Sequence, residues 1–328
     1  MKFFIYILSS HILLNFIILY FFDYLKNKIN VYDHPDNKKK LHKNPIPLMG
    51  GWIFLFNLIL FLILKNWSLS NLEMNIVLCS SLFLLIGILD DKYDLSPFSK
   101  FVSLTISLIL FFIFNESMII NNLEIYGYNI YLNKNIGFFF SVLCVLLFVN
   151  AFNLFDGINL QSSLYGIYFL LFLLYKNLFT ETILVMIIPL LFIVYLNNRN
   201  RVFMGDSGTL FLGSIMSLFV IANYTEINSL KVDEIFLLMF LPGVDMLRLF
   251  IQRIINKKNP FLGDREHLHH YFLKLYGYKV SIFSILTISI LPQLLNFFID
   301  SKYIITFFII FYLFLFIYLK KKITNQII

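Results

Sequence analysis

Residues 74–94 read Met-Asn-Ile-Val-Leu-Cys-Ser-Ser-Leu-Phe-Leu-Leu-Ile-Gly-Ile-Leu-Asp-Asp-Lys-Tyr-Asp. The first part, 74–89, carries no charge; Asp90, Asp91 and Asp94 then arrive together. An uncharged run of this kind approaches the roughly 20 residues that cross a hydrocarbon core. The pattern recurs along the chain, at 3–22, 48–64, 97–114, 136–152, 162–176, 181–196, 209–223, 234–252, 280–299 and 303–319. Several runs are short or merge into polar motifs, so the reading is ten or eleven spans. Composition agrees: of 328 residues, 59% are hydrophobic and 14% charged, with a mean hydropathy of +0.80. Soluble domains run about 45–50% apolar and about 25% charged. A soluble enzyme, a disordered chain and a disulfide-stapled module are excluded. Cys79 and Cys144 lie inside apolar runs and read as small buried thiols. The net charge of +7 comes without a basic, aromatic-interleaved patch, so no nucleic-acid partner is expected. The expectation is an all-α polytopic membrane helix bundle, one domain over 1–328, with the first run an uncleaved anchor.

Charge bias sets the expected topology. With the amino terminus outside, the loops 26–43, 92–100, 199–201, 248–279 and 320–322 face inward and hold twenty of the 26 lysines and arginines. The carboxy terminus is then cytoplasmic. Every polar cluster of chemical interest falls on that same side, whereas the outer loops are patternless, apart from an alternation over 121–133 that predicts a hairpin.

Four clusters stand out. Asp90 and Asp91 end a span, where carboxylates are costly and need a partner or a role. Asn150, Asn153, Asp156 and Asn159 recur every third residue at the end of the fifth span, a stripe that suits a metal or a polar ring system. Gly205-Asp206-Ser207-Gly208 opens a helix; free N–H groups there favour an anion, although Asp206 could equally be a helix cap. Residues 253–271 hold Arg253, Lys257, Lys258, Asp264, Arg265, Glu266, His267, His269 and His270. Anion binding by Arg265 and the imidazoles is favoured there over zinc, because adjacent His269 and His270 rarely share one tetrahedral ion. Asp245 reads as an ion-pair partner for Arg248. The first loop adds Lys38–Lys40, His42 and Gly50-Gly51, whose lysines would serve orientation alone. Carboxylates, amides, a glycine turn and a basic histidine loop on one face describe a phosphate-handling site. Mg²⁺ fits as the bridge between carboxylates and phosphates, with Mn²⁺ an allowed substitute.

These motifs, in this order, resemble the polyprenyl-phosphate N-acetylhexosamine-1-phosphate transferase family. The resemblance runs through Asp33…Pro35…Lys39…His42…Pro47…Gly50-Gly51, Asp90-Asp91, Asn150-Ala-Phe-Asn153-Leu-Phe-Asp156-Gly157, Phe203-Met-Gly-Asp206, Pro242-Gly-Val-Asp245 and Asp264-Arg265-Glu-His267-Leu-His269-His270. The last motif looks like the GlcNAc-1-phosphate transferase branch that initiates surface polysaccharides, less like the muramoyl-pentapeptide branch. It implies that undecaprenyl phosphate attacks the sugar-bearing phosphate of UDP-HexNAc, giving undecaprenyl-pyrophosphoryl-HexNAc and UMP at the cytoplasmic face of a bacterial inner membrane. Asn153 and Asp206 would hold Mg²⁺; Asp90, Asp91 and Asp156 would be catalytic. Lys39, His42, Asn150, Asn159, Arg265, His267, His269 and His270 would bind substrate. A phosphate monoester is already mostly dianionic at neutral pH, so Asp90 and Asp91 are expected to position the acceptor, through Mg²⁺ or Lys92, rather than deprotonate it. Two departures from the family pattern are Asn159-Leu160 in place of Asp-Gly and Lys38-Lys39-Lys40 in place of Arg-Lys. A transporter, a CDP-alcohol phosphotransferase and an inactive paralogue are the rivals; the apolar outer faces suit lipid or a second copy in a homodimer equally.

Overall fold

The computed structural model describes residues 2–35, 44–66, 68–177, 179–258 and 266–327. Lys39, His42 and Arg265 lie outside the described residues. The chain forms α1 (Lys2–Tyr20), α2 (Phe22–Ile29), β1 (Tyr32–Asp33), β2 (Ile46–Pro47), α3 (Gly50–Leu64), α4 (Asn71–Tyr93), α5 (Pro97–Phe114), β3 (Asn122–Ile125) and β4 (Tyr128–Tyr131). It continues with α6 (Lys134–Phe155), α7 (Gln161–Tyr175), α8 (Thr180–Asn197), α9 (Gly205–Ala222), α10 (Val232–Leu238), α11 (Phe240–Ile255), α12 (Leu268–Leu295) and α13 (Ser301–Ile327). Among the described residues eight helices are long and apolar enough to cross a membrane, and α3 and α7 are shorter apolar helices. The chain is a multi-pass, all-α membrane protein.

Local chemistry places the helix starts. Ser70 caps α4 by accepting from the Glu73 N–H, Ser96 caps α5 by accepting from Ser99 with Pro97 at the first helical position, and Asn133 caps α6 by accepting from Ile136. The expected hairpin is present: β3 and β4 pair antiparallel across Tyr126-Gly127, both at positive φ.

Two compact units divide the chain. The first holds residues 1–121 and 133–229, the second 122–132 and 230–328. In the first, α9 is the core: every residue from Ser207 to Ala222 is buried, and α3, α4, α6 and α7 pack around it. An all-round apolar helix has to be buried in this way. Glycines set the approach distances. A Cβ on Gly87 of α4 would stand 2.4 Å from the Ser207 Cα, and one on Gly51 of α3 would stand 2.2 Å from the Ser207 Oγ. The first loop pins the chain just ahead of α9. β1 pairs with β2, Phe203 N–H donates to the Pro47 carbonyl at 3.0 Å, and Gly50 N–H donates to the Phe203 carbonyl at 3.2 Å.

In the second unit, the run 234–252 is not one helix but α10 and α11, divided at Met239. Gly277, at φ 75°, breaks α12. The expected span at 280–299 corresponds to the part after this break, and the part before it carries His269 and His270.

Gly87→Ala is expected to lower the melting temperature of the detergent-purified protein, because the new methyl meets backbone rather than a movable side chain; overpacking costs about 1–3 kcal/mol. Gly243→Ala, with nothing within 4 Å of its Cβ position, is the control and should be neutral or better.

Candidate active site

At one end of the first unit, the carboxyl end of α4 meets the amino ends of α5 and α9. Asp91 takes the exposed N–H groups of α9: Oδ1 accepts from Asp206 N–H at 2.8 Å, and Oδ2 accepts from Ser207 N–H at 3.1 Å and from Ser207 Oγ at 2.5 Å. The anion at this helix start is therefore the protein's own carboxylate. Gly205 makes room, since its φ is 70° and a Cβ there would lie 2.7 Å from the Asp91 Oδ2. Both Asp91 oxygens are occupied by α9, which gives this residue an architectural task.

Asp90 closes the α4–α5 connection. Its Oδ1 accepts from Leu95 N–H at 2.9 Å, and its Oδ2 lies 2.7 Å from the Lys100 Nζ. Lys100, one turn into α5, also reaches the Asp206 Oδ2 at 2.5 Å. One ammonium thus joins the carboxylates of α4 and α9. The Asp90 side chain is 8% exposed and that of Asp206 37%, so Asp206 is the member a substrate can reach. An ammonium has three N–H donors; two are committed to Asp90 and Asp206. Asp206 Oδ1 accepts from Asn153 Nδ2 at 2.7 Å, and the same amide donates to the Thr209 Oγ1 at 2.7 Å.

Sequence reasoning missed Lys100 and favoured Lys92. The structure turns exposed Lys92 over the Tyr93 ring, 5.2 Å from its centroid. The signal for Lys100 was the Ser96-Pro97 helix start, which places position 100 one turn inside α5 at the membrane end that holds Asp90.

The rest of the polar stripe divides. Asp156, just past α6, accepts from Ser162 Oγ at 2.5 Å; burial, more than the charge of Asp206, pushes its carboxyl up to about 6. Asn150 donates to the Leu146 carbonyl at 2.8 Å within its own helix. Asn159 donates to the Asn197 carbonyl and to the Asn200 side chain, a role no carboxylate could fill. Leu160 N–H donates to the Asn197 Oδ1, and Leu160 itself sits at φ 69°. This left-handed position explains the glycine of the family pattern; a leucine there costs on the order of 1 kcal/mol.

The carboxylates of Asp90 and Asp206 converge on one cation position, filled by the Lys100 ammonium. Oxygen donors of this kind suit Mg²⁺, which binds through one or two carboxylates plus substrate phosphates. Asp206, more exposed, is the residue that could hold it; Asn153 would have to turn its carbonyl oxygen inward to join. Among the described residues, no group of three His, Cys, Asp or Glu side chains gathers as an all-protein metal cage.

The second unit has its own cluster. His267, His269 and His270 come together, the rings of His267 and His269 stacked at 5.3 Å and those of His269 and His270 tilted by 43° at 4.2 Å. The expected Asp245–Arg248 pair is present at 2.8 Å, and Asp245 also meets the His267 Nδ1 at 2.8 Å.

Two expectations follow. Asp91→Ala removes the partner of two helix-start N–H groups and should lower the melting temperature by an amount equivalent to about 1–2 kcal/mol. Asp156 has its folded-state pKa raised, so its burial penalty is absent at low pH and develops as pH rises through about 6. Asp156→Asn should therefore raise the melting temperature at pH 7.5, with the gain shrinking toward pH 4; a constant gain would contradict the burial argument.

Comparison with known proteins places this geometry. Residues 74–224 match the model of glycosyl transferase family 4. The chain is 26% identical over 262 residues to the undecaprenyl-phosphate alpha-N-acetylglucosaminyl 1-phosphate transferase of Yersinia pestis, covering 75% of this chain and 70% of that protein. It is 25% identical over 317 residues to the probable undecaprenyl-phosphate N-acetylglucosaminyl 1-phosphate transferase of Bacillus subtilis, covering 92% of this chain and 86% of that one. It is also 25% identical over 280 residues to the alpha-N-acetylglucosaminyl 1-phosphate transferase of Escherichia coli K12, covering 81% and 76%. The matched region contains Asp90, Asp91, Lys100, Asn153, Asp156 and Asp206, so the similarity to glycosyl transferase family 4 covers the residues gathered here.

Proposed function

We propose that this protein transfers HexNAc-1-phosphate, GlcNAc-1-phosphate first among the candidates, from a UDP-sugar to undecaprenyl phosphate, releasing UMP. The observation that carries the reading is the Lys100 ammonium held between Asp90 and Asp206 at the membrane end of a family-matched core. The relatives' names supply the lipid acceptor and the sugar. An acceptor phosphate oxygen forms a bond to the phosphorus that bears the sugar, and the bond from that phosphorus to the bridging oxygen breaks, its electron pair leaving with UMP. The acceptor is mostly dianionic near neutral pH, so positioning and charge neutralisation do most of the work.

In this reading Lys100 gives its third N–H to the acceptor phosphate. Asp90, with one oxygen on Leu95 N–H and the other on Lys100, anchors that ammonium rather than acting as a base. Asp91 holds the α9 start in register, so that Asp206 faces Lys100. Mg²⁺ held at Asp206, joined by the Asn153 amide oxygen once that side chain turns, would supply further neutralisation of the phosphates. Asn150, Asn159, His267, His269 and His270 remain candidates for donor recognition, with Lys39, His42 and Arg265 alongside them. The active site faces the cytoplasm, with the amino terminus outside, and the product opens a cell-surface glycan pathway.

The test is UMP release by the full chain in detergent, supplied with undecaprenyl phosphate, Mg²⁺ and a panel of UDP-HexNAc donors. Lipid-dependent UMP from one donor is expected, abolished by EDTA and reduced at least about 100-fold in Lys100→Ala. Uptake of substrate into vesicles without UMP release would instead support a transporter. UMP release with UDP-MurNAc-pentapeptide alone would move the chain to the muramoyl branch.

A further inference from the structure

A second cluster of cations lies outside the Asp90–Lys100–Asp206 centre, where α1 leaves the membrane. α1 is one of the spans, and α2 follows it after a single residue, Phe21. α1 packs on α8, with Phe16 edge-on to Phe192 at 5.3 Å, so the end of α1 stands beside the turn from α8 into α9. That turn carries Arg199 and Arg201. Arg201 N–H donates to the Leu196 carbonyl at 2.9 Å, and Asn197 Nδ2 donates to the Val202 carbonyl at 2.7 Å, which fixes its backbone.

The cations here are laid on rings. The Arg201 guanidinium lies 4.8 Å from the Phe22 centroid and the Lys26 ammonium 6.0 Å from it, so one buried ring underlies both. The Arg199 guanidinium lies 4.5 Å from the Tyr195 centroid, and Lys28 is exposed in the last turn of α2. Among the described residues, Asp23 is the carboxylate paired with them. Lys26 meets it at 2.6 Å and Arg201 at 3.6 Å, the latter beyond hydrogen-bond reach. A guanidinium stacked on a ring keeps its five N–H donors at its edge, more than Asp23 can satisfy.

Orientation of the chain in the membrane needs only the charges. It does not account for guanidiniums spread over aromatic rings, nor for the exposed Tyr20, Phe21 and Tyr24 at the same span end. Such aromatics mark the headgroup level of a bilayer, and cations there face phosphates. Four cations against one carboxylate favour a lipid of net negative charge over a zwitterionic one, whose own cation is repelled. We propose that Lys26, Arg199 and Arg201, with Lys28 at the rim, receive the phosphodiester headgroup of an anionic phospholipid. The occupant is a lipid because the cluster ends a membrane span, where headgroups are the neighbouring molecules. A bound headgroup ties α2 to the α8–α9 turn and braces the backbone that leads into Asp206. The site is separate from Lys100 and does not depend on the transferase reading.

Short-chain phosphatidylglycerol or phosphatidylcholine, titrated into the detergent-solubilised full chain and read by native mass spectrometry, tests this. The wild type is expected to take up phosphatidylglycerol in preference to phosphatidylcholine. Arg199→Gln/Arg201→Gln is expected to weaken phosphatidylglycerol binding at least about tenfold. Lys134→Gln/Lys176→Gln removes as much charge at the opposite ends of the helices and should leave that affinity unchanged. Lys100→Met should also bind as the wild type does. Equal uptake of the two lipids, or undiminished affinity in folded Arg199→Gln/Arg201→Gln, overturns the site. An equal loss in Lys134→Gln/Lys176→Gln would assign the binding to bulk charge, and a loss in Lys100→Met would assign it to the Lys100 centre; either overturns it too. Should the arginine variant fail to fold, Lys26→Gln/Lys28→Gln on α2 takes its place with the same two outcomes.

Discussion

The start of α9 lies inside the packed core of the first unit, and its N–H groups must be answered there. Asp91, reaching from the end of α4, answers them. The rest of the site follows from that contact. α4 can come so close because Gly87 has no side chain, α3 because Gly51 has none, and the turn bends because Gly205 sits at positive φ. Asp206 is then held at the surface of the core, facing Lys100. Unpartnered buried N–H groups would each cost on the order of 1–3 kcal/mol, so a carboxylate at 91 is a condition of the fold before it is a feature of the chemistry.

The second unit repeats the device. Asp245 takes the first N–H of α12 as Asp91 takes those of α9, and in both cases a helix start is fixed by an acid from a neighbouring helix. In each, the residue so placed carries a chemical group: Asp206 in one, His267 in the other. Hydrogen bonds from a helix start favour the charged carboxylate and make it a weaker base. A mechanism that works by positioning and charge is the natural use of such a site.

The sequence showed the membrane bundle plainly, because uncharged runs the length of a bilayer have few other uses. Residues 97–114 coincide with α5 to the residue, since Ser96-Pro97 marks its start. It also showed the carboxylate pair, but not the division of labour within it. Asp90 and Asp91 are neighbours in sequence, yet one holds a lysine ten residues on and the other a helix more than a hundred residues away. Lys100 read as one more inward-facing charge, since nothing local announces that two carboxylates will close on it. The break at Met239 hid inside an apolar run, where periodicity does not report a change of helix. Asn159 and Leu160 read as departures from a family pattern; the contacts with Asn197 and Asn200 that account for the amide come from the end of α8 and the turn after it.

In the proposed reaction the Lys100 ammonium, held between Asp90 and Asp206, receives the acceptor's phosphate. A ³¹P NMR titration of a short polyprenyl phosphate into the detergent-solubilised full chain tests it without requiring turnover. A saturable shift of the monoester resonance is expected in the wild type and is lost in folded Lys100→Met. An unchanged titration in Lys100→Met would contradict it and return the acceptor to another cation.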